Sequence, residues 1–310
     1  MNNLKVVFMG TPEFSVPTLE ALIANTNVVL VVTQPDAFVG RKKVLVPSPI
    51  KKCALDHNIE VFTPDKIRKE YASIFEYHPD IIITCAYGQI IPKELLEYPK
   101  YGCINVHASL LPKYRGSSPI YQAIRDGEEK TGITIMYMDE GVDTGNIIAA
   151  REIPIFNVDT LGTLSDKLSK LGSELLLKTL PAIVEGTNFD IPQNSLLATH
   201  TKLIKREDER IDFNQSKEAV YNQIRSLNPS PLANTLIDGE EWKIVEARVG
   251  SDEKGEIGVI DHVYKDGFGI NCADGEIVVT RIKPASKKEM AVRDFFNGYD
   301  KNKLLGKKVG

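Results

Sequence analysis

The chain has 310 residues, of which 42% are hydrophobic and 26% charged, and a net charge of −4, the profile of a soluble globular protein long enough for two domains. Its four cysteines (Cys53, Cys85, Cys103 and Cys272) are scattered without a CxxC pair, which argues against a zinc site or disulfide scaffold and fits a reducing compartment. No apolar run approaches a membrane span, and the first strand begins within a few residues of Met1, so the expectation is a cytoplasmic protein with no leader and no membrane partner.

Leu4–Met9 reads as a short strand, closed by the turn Gly10-Thr11-Pro12 and followed by a helix carrying Phe14, Leu19, Leu22 and Ile23. Further apolar runs at Val28–Thr33, Val61–Phe62, Ile81–Thr84 and Ile104–His107 alternate with helical segments. That alternation predicts an α/β fold with a doubly wound, mainly parallel, Rossmann-like sheet covered on both faces. Such sheets bind ligands at the carboxyl ends of their strands. His107 ends one strand and Tyr87-Gly88-Gln89 follows another, so both can line one crevice. A dinucleotide is not expected there, because GxGxxG is absent and Pro12 removes an N–H that a phosphate would need.

From Thr160 to Glu185, leucines at 161, 164, 168, 171 and 175 form one helix stripe, which reads as core. The first domain is expected to span residues 1–189, followed by a linker or long crossing loop over 190–206 and a second domain over 207–310. In the latter, a helix over Ser216–Leu227 ends at Asn228-Pro229-Ser230-Pro231. Short β-like runs follow at Trp242–Val249, Glu256–Ile260, Phe268–Cys272 and Glu276–Ile282, with turn signals at Asp238-Gly239 and Asp274-Gly275. This pattern predicts a small OB-like β-barrel. Residues 281–310 hold nine Lys/Arg against three acids, and residues 40–52 hold five basic residues and no acid. Each alone reads as solvated surface; beside a small barrel they favour a polyanionic partner.

The stretch Gly102–Asn146 carries the chemistry. Side chains two apart on a strand share a face, so Asn105 and His107 can point into one cleft while Ile104 and Val106 point away. A later loop delivers Asp143. Asparagine can donate to a developing oxyanion, histidine can donate or relay a proton near neutrality, and aspartate can orient the imidazole. No nucleophile elbow is present, so the attacking group is expected from a substrate. An Asn and a His at a strand end can equally serve only to satisfy backbone groups.

The wider motifs decide between these. HASLLPKYRGSSPIYQAI followed by TGITIMYMDEGVDTGNI, together with TQPDAFVGRKKVLVPSPIKKCA, AYGQIIPKELL and KPASKKEMAVRDFFNG, closely resembles the folate-dependent formyltransferase family, and in particular its members acting on methionyl-tRNA. The resemblance covers essentially the whole chain. It implies transfer of a formyl group from 10-formyltetrahydrofolate to the α-amine of methionine on initiator tRNA. By the same resemblance the catalytic set falls on Asn105, His107 and Asp143. The folate contacts fall on Ser109, Leu110, Leu111 and Pro112, bordered by Tyr87, Gly88, Gln89 and Ile90 and by the loop starting at Asp139. Arg41, Lys42 and Lys43 match the family's basic tRNA-contacting loop, although GRKK lacks the glycine that usually follows the arginine. No metal is implied, and a monomer is the family expectation. The rival readings are a sister formyltransferase acting on glycinamide ribonucleotide or an amino sugar, and an RNA-binding protein without catalysis. A glycinamide ribonucleotide enzyme typically lacks the C-terminal barrel.

Overall fold

The computed structural model describes residues 1–40 and 43–310, so the sequence expectations on Arg41 and Lys42 lie outside the described residues. Its contacts divide the chain into two units. The first contains residues 1–119, 130–154 and 165–201, and the second residues 120–129, 155–164 and 202–310.

The first unit contains β1 (Lys5–Gly10), β2 (Asn27–Val32), β3 (Ala37–Val39), β4 (Val44–Val46), β5 (Val61–Phe62), β6 (Ile81–Cys85), β7 (Cys103–His107), β8 (Arg115–Gly116), β9 (Lys130–Tyr137), β10 (Ile147–Pro154) and β11 (His200–Thr201). Seven of these form one sheet in the order β10-β9-β7-β6-β1-β2-β5. The pairs from β7 to β5 are parallel, and β9 and β10 join antiparallel. Strand order reverses between β1 and β6, which opens a crevice at their carboxyl ends. Three polar groups meet there: Thr11 Oγ1 and Gln34 Nε2 both donate to the Tyr87 carbonyl, at 3.0 and 3.2 Å.

Alternation along the strands separates two packing faces. Val7, Met9, Leu30, Val32, Ile82 and Cys103 pack with Ile67, Ile74 and Leu95 on one face. Asn105 and His107 continue the phase of Cys103, so this face turns from apolar to polar toward the carboxyl end of β7. Val106 belongs to the opposite face, where the helix Leu161–Glu185 reaches it. A Cβ built at Gly172 of that helix would stand 2.9 Å from Val106 Cγ1, so only glycine allows this approach. The expected leucine stripe is core: Leu164, Leu168, Leu171 and Leu175 are buried.

β3 and β4 form a separate hairpin with Phe38 opposite Leu45. Phe38 is 71% exposed, and Val44, Leu45 and Val46 are exposed as well. The chain then enters the helix Pro49–Asp56, capped by Ser48, whose Oγ accepts from the Lys51 N–H at 3.0 Å. Pro49 suits the first helical position because its missing N–H would have no partner there.

The second unit holds β12 (Ala233–Ile237), β13 (Glu240–Val249), β14 (His262–Val263), β15 (Phe268–Cys272), β16 (Gly275–Lys283) and β17 (Met290–Ala291). They run in the order β12-β13-β16-β15-β14, all antiparallel, with β17 also on β16. The C-terminus closes the gap between the two sides. Gly310 N–H donates to the Leu236 carbonyl of β12 at 3.3 Å, and Val309 N–H donates to Gly258 at 2.7 Å. Gly258 N–H in turn donates to Asn271 of β15 at 2.9 Å. The interior is filled by Trp242, Ile244, Phe268, Ile270, Ile277, Val279 and Phe295, with Trp242 and Phe295 edge to face.

The expected strand over Glu256–Ile260 is absent; that stretch makes one bridge, Val259 with Lys308. Gly258 stands at φ +77, a left-handed conformation that interrupts an extended ladder. The short strand lies just beyond, at β14. β12 was not anticipated, because it starts two residues after Pro231, where the sequence reads as turn.

Candidate active site

β7 delivers Asn105 and His107, and a loop after β9 delivers Asp143; the three meet within the first unit. Asn105 Nδ2 donates to Asp143 Oδ1 at 3.3 Å. His107 Nδ1 stands 3.5 Å from Asp143 Oδ2, with the side chains 7% and 15% exposed. In so dry a setting each polar contact is worth more than it would be in water.

Each member is oriented by a partner that the sequence alone does not reveal. Parallel register sets Thr84 of β6 beside Asn105, and Thr84 Oγ1 donates to Asn105 Oδ1 at 2.8 Å. That bond fixes the amide with its NH2 turned toward Asp143. His107 Nε2 lies 3.0 Å from the Tyr114 carbonyl. A carbonyl can only accept, so Nε2 carries a hydrogen, and Nδ1 is the nitrogen that faces the carboxylate. Gly116 N–H donates to Asp143 Oδ2 at 2.7 Å.

The segment 114–118 is held by the strap 199–201. β8 and β11 pair in parallel, Tyr114 N–H donates to Thr199 Oγ1 at 2.9 Å, and Arg115 N–H donates to the Thr199 carbonyl at 2.9 Å. Gly116 stands at φ +112, and a Cβ there would lie 2.4 Å from the Thr201 carbonyl. Only glycine can bring this N–H to Asp143. The residues 190–201, read from sequence as connecting chain, therefore take part in building the site. Within them, Gln193 Nε2 donates to the carbonyls of Asp143 and Gly145 at 2.9 and 2.7 Å.

The turn Ser109–Pro112 follows β7 directly. Ser109 Oγ donates to the Lys113 carbonyl at 2.7 Å, and Thr134 Oγ1 donates to the Ser109 carbonyl at 2.6 Å. Thr134 Oγ1 also accepts from Leu111 N–H at 3.2 Å. Ser109 and Leu111 are buried, and Leu110 is half-buried.

Other expected contact residues are committed in different ways. Tyr87 lies in the core with its hydroxyl buried and without a hydrogen-bond partner among the described residues, and burial pushes its pKa well above the ordinary phenol. Gln89 Oε1 accepts from Ile67 N–H at 2.8 Å, and its Nε2 donates to Gln34 Oε1 at 3.1 Å. Gly88 takes φ +88, Ile90 is exposed, and Asp139 Oδ1 closes its own turn by accepting from Gly141 N–H at 3.0 Å. Lys43 has φ +47, and its N–H donates to the Gly40 carbonyl at 3.1 Å.

The arrangement can polarise a carbonyl through the Asn105 amide and hold a proton on the His107–Asp143 pair. No group of three or more His, Cys, Asp or Glu side chains among the described residues is placed to share a metal ion.

Comparison with known proteins accounts for both units. Residues 4–180 match the formyl transferase family model and residues 203–300 the formyl transferase C-terminal domain model. A methionyl-tRNA formyltransferase of Staphylococcus epidermidis is 50% identical over 306 residues, covering 98% of either chain. One from Halalkalibacterium halodurans is 49% identical over 312 residues, covering 99% of this chain and 98% of that one. Among solved structures, a sugar 3N-formyl transferase crystallised in the presence of dTDP and 5-N-formyl-THF shares the fold with a TM-score of 0.66 at 23% identity, covering 93% of this chain and all of that one. The chain belongs to the formyltransferase family.

Proposed function

We propose that the chain transfers a formyl group from 10-formyltetrahydrofolate to the α-amine of methionine carried by initiator tRNA. The observation that carries this reading is the near-half identity, running through both units, to relatives that bear that activity in their names. A likeness confined to the first unit would fit any sister enzyme of the family. The folate donor is supported by the sugar transferase crystallised with a formyl-folate.

In this reading the neutral amine attacks the formyl carbon. A new N–C bond forms, the bond from the formyl carbon to folate N10 breaks, and one proton passes from the amine to N10. Asn105 Nδ2 donates to the oxygen that becomes anionic. Thr84 aims that amide by engaging its carbonyl side. The amine proton is taken up by the His107–Asp143 pair and returned to the departing N10. Gly116 N–H and Asn105 Nδ2 hold the Asp143 carboxylate in place for this exchange.

The folate is assigned to the turn Ser109-Leu110-Leu111-Pro112, with Tyr87–Ile90 and the Asp139–Val142 loop as its borders. The tRNA acceptor end is assigned to Arg41, Lys42 and Lys43. The second unit, with its excess of Lys and Arg over residues 281–310, takes the tRNA body. Phosphate contacts of this kind position without reading sequence and weaken as salt rises. The reaction as written needs no metal. The protein is assigned to the cytoplasm as a monomer.

The test compares acceptors with one donor: methionine charged on initiator tRNA, methionine charged on elongator tRNA, glycinamide ribonucleotide and a dTDP-amino sugar. Formylation of the initiator species above all others is expected. Preference for either small amine would mean that the site was read correctly and the acceptor wrongly.

A further inference from the structure

Gln193 sits in connecting chain, with no charge or nucleophile to mark it, yet its amide is fully engaged. Both Nε2 hydrogens go to the loop that carries Asp143, at 2.9 Å to the Asp143 carbonyl and 2.7 Å to the Gly145 carbonyl. Both acceptor positions of Oε1 are taken by Arg115, whose Nε and Nη2 lie at 3.1 and 2.9 Å. Arg115 is buried, so its guanidinium holds this geometry without competition from water. A cation bonded to the carbonyl side of an amide polarises it and strengthens donation from the NH2 side.

The purchase of this clamp is on a residue in an uncommon conformation. Asp143 has φ +53, in the left-handed region that a non-glycine residue keeps only when its surroundings over-determine it. Gln193 grips its carbonyl, and Gly116 N–H grips its carboxylate. Arg115 and Gly116 are neighbours in β8, so the two grips share one short strand, itself bonded to β11. Connecting chain and catalytic loop are thus locked through five hydrogen bonds made by two side chains and one amide.

We propose that Gln193, held by Arg115, is a positioning residue that sets the Asp143 carboxylate against His107 and Asn105; this rests on the formyl-transfer reading above. It touches no reacting atom and acts only through Asp143. Gln193→Ala removes both hydrogen bonds from its amide to the loop carbonyls of Asp143 and Gly145. Gln193→Glu keeps the size and the bond to Arg115, but presents a carboxylate oxygen to two carbonyls, so acceptor faces acceptor.

The experiment is steady-state formyl transfer to charged initiator tRNA by wild type, Gln193→Ala, Gln193→Glu, Asp143→Asn and the Gln193→Ala/Asp143→Asn pair. Both single Gln193 variants are expected to lose roughly 10- to 100-fold in kcat, the scale of a small misplacement at a reacting centre, with the KM for the folate donor within about threefold of wild type. In the pair, removing Gln193 costs less than about twofold beyond Asp143→Asn alone. Unchanged kcat, multiplicative losses in the pair, or Gln193→Glu restored to wild-type rate would each overturn the inference. Hydrogen exchange supplies a readout that needs no turnover. The Gly116 amide, which donates to Asp143, is expected to exchange faster in Gln193→Ala, and equal protection would overturn the inference as well. A wild type that formylates no acceptor would bring down the functional reading, while the exchange comparison still decides on Gln193.

Discussion

Asn105 is a donor whose direction is set from behind: with Oδ1 bonded to Thr84, its NH2 has one orientation available. Thr84→Val removes that bond and little volume. A hydrogen bond of about 1 kcal/mol predicts a fall in kcat of about fivefold, with tRNA binding unchanged; steady-state kinetics and a filter-binding assay check the two halves. Asn105 and His107 were legible in the sequence because their spacing puts them on one strand face. Asp143 was legible as a carboxylate on a later loop, and the family motif added its place in the set. Thr84, Arg115 and Gln193 were not legible, because what brings them to the site is strand register and a returning strap, and neither leaves a periodic signal.

At the scale of elements, the two-stranded pairing of β8 with β11 supplies, through Gly116 N–H, a hydrogen bond to the carboxylate. Gly116→Ala would place a methyl against the Thr201 carbonyl and force φ +112 on a residue that resists it. A loss of about 1–3 kcal/mol is expected from such a conformation, measured by urea unfolding, together with reduced transfer as Asp143 loses its amide donor. The strands of the parallel sheet were legible because buried strands read as continuous β-branched runs. The barrel was legible in kind but not in every strand. Glu256–Ile260 has strand composition, but Gly258 turns the chain out of the ladder, while Ala233–Ile237 hides behind a proline-rich turn. The role of 190–201 was masked because a strap bonded to two residues of β8 resembles a linker in composition.

Across the whole molecule, all four cysteines are buried as free thiols. Burial pushes Cys85 up to about 11 and Cys272 up to about 12 from the model-compound value of 9.0. Raised in the fold, these groups leave stability intact below the unfolded value of 9.0 and withdraw it as pH climbs through about 11 to 12. The thermal midpoint is therefore expected to hold below pH 9.0 and to decline from there to about 11 to 12, and a thiol reagent at neutral pH should label the folded chain far more slowly than the unfolded one. Rapid labelling of the native protein would contradict that burial. Residues 4–180 and 203–300 match formyl transferase models, and the proposed chemistry rests on the strand end in the first unit. The measurement that tests it most directly is single-turnover formyl transfer from 10-formyltetrahydrofolate to charged initiator tRNA by Asn105→Ala beside wild type, with tRNA affinity measured in parallel. The loss of an oxyanion donor predicts a rate about 100- to 1000-fold lower at unchanged affinity. A variant that transfers within a few-fold of wild type would place the chemistry elsewhere.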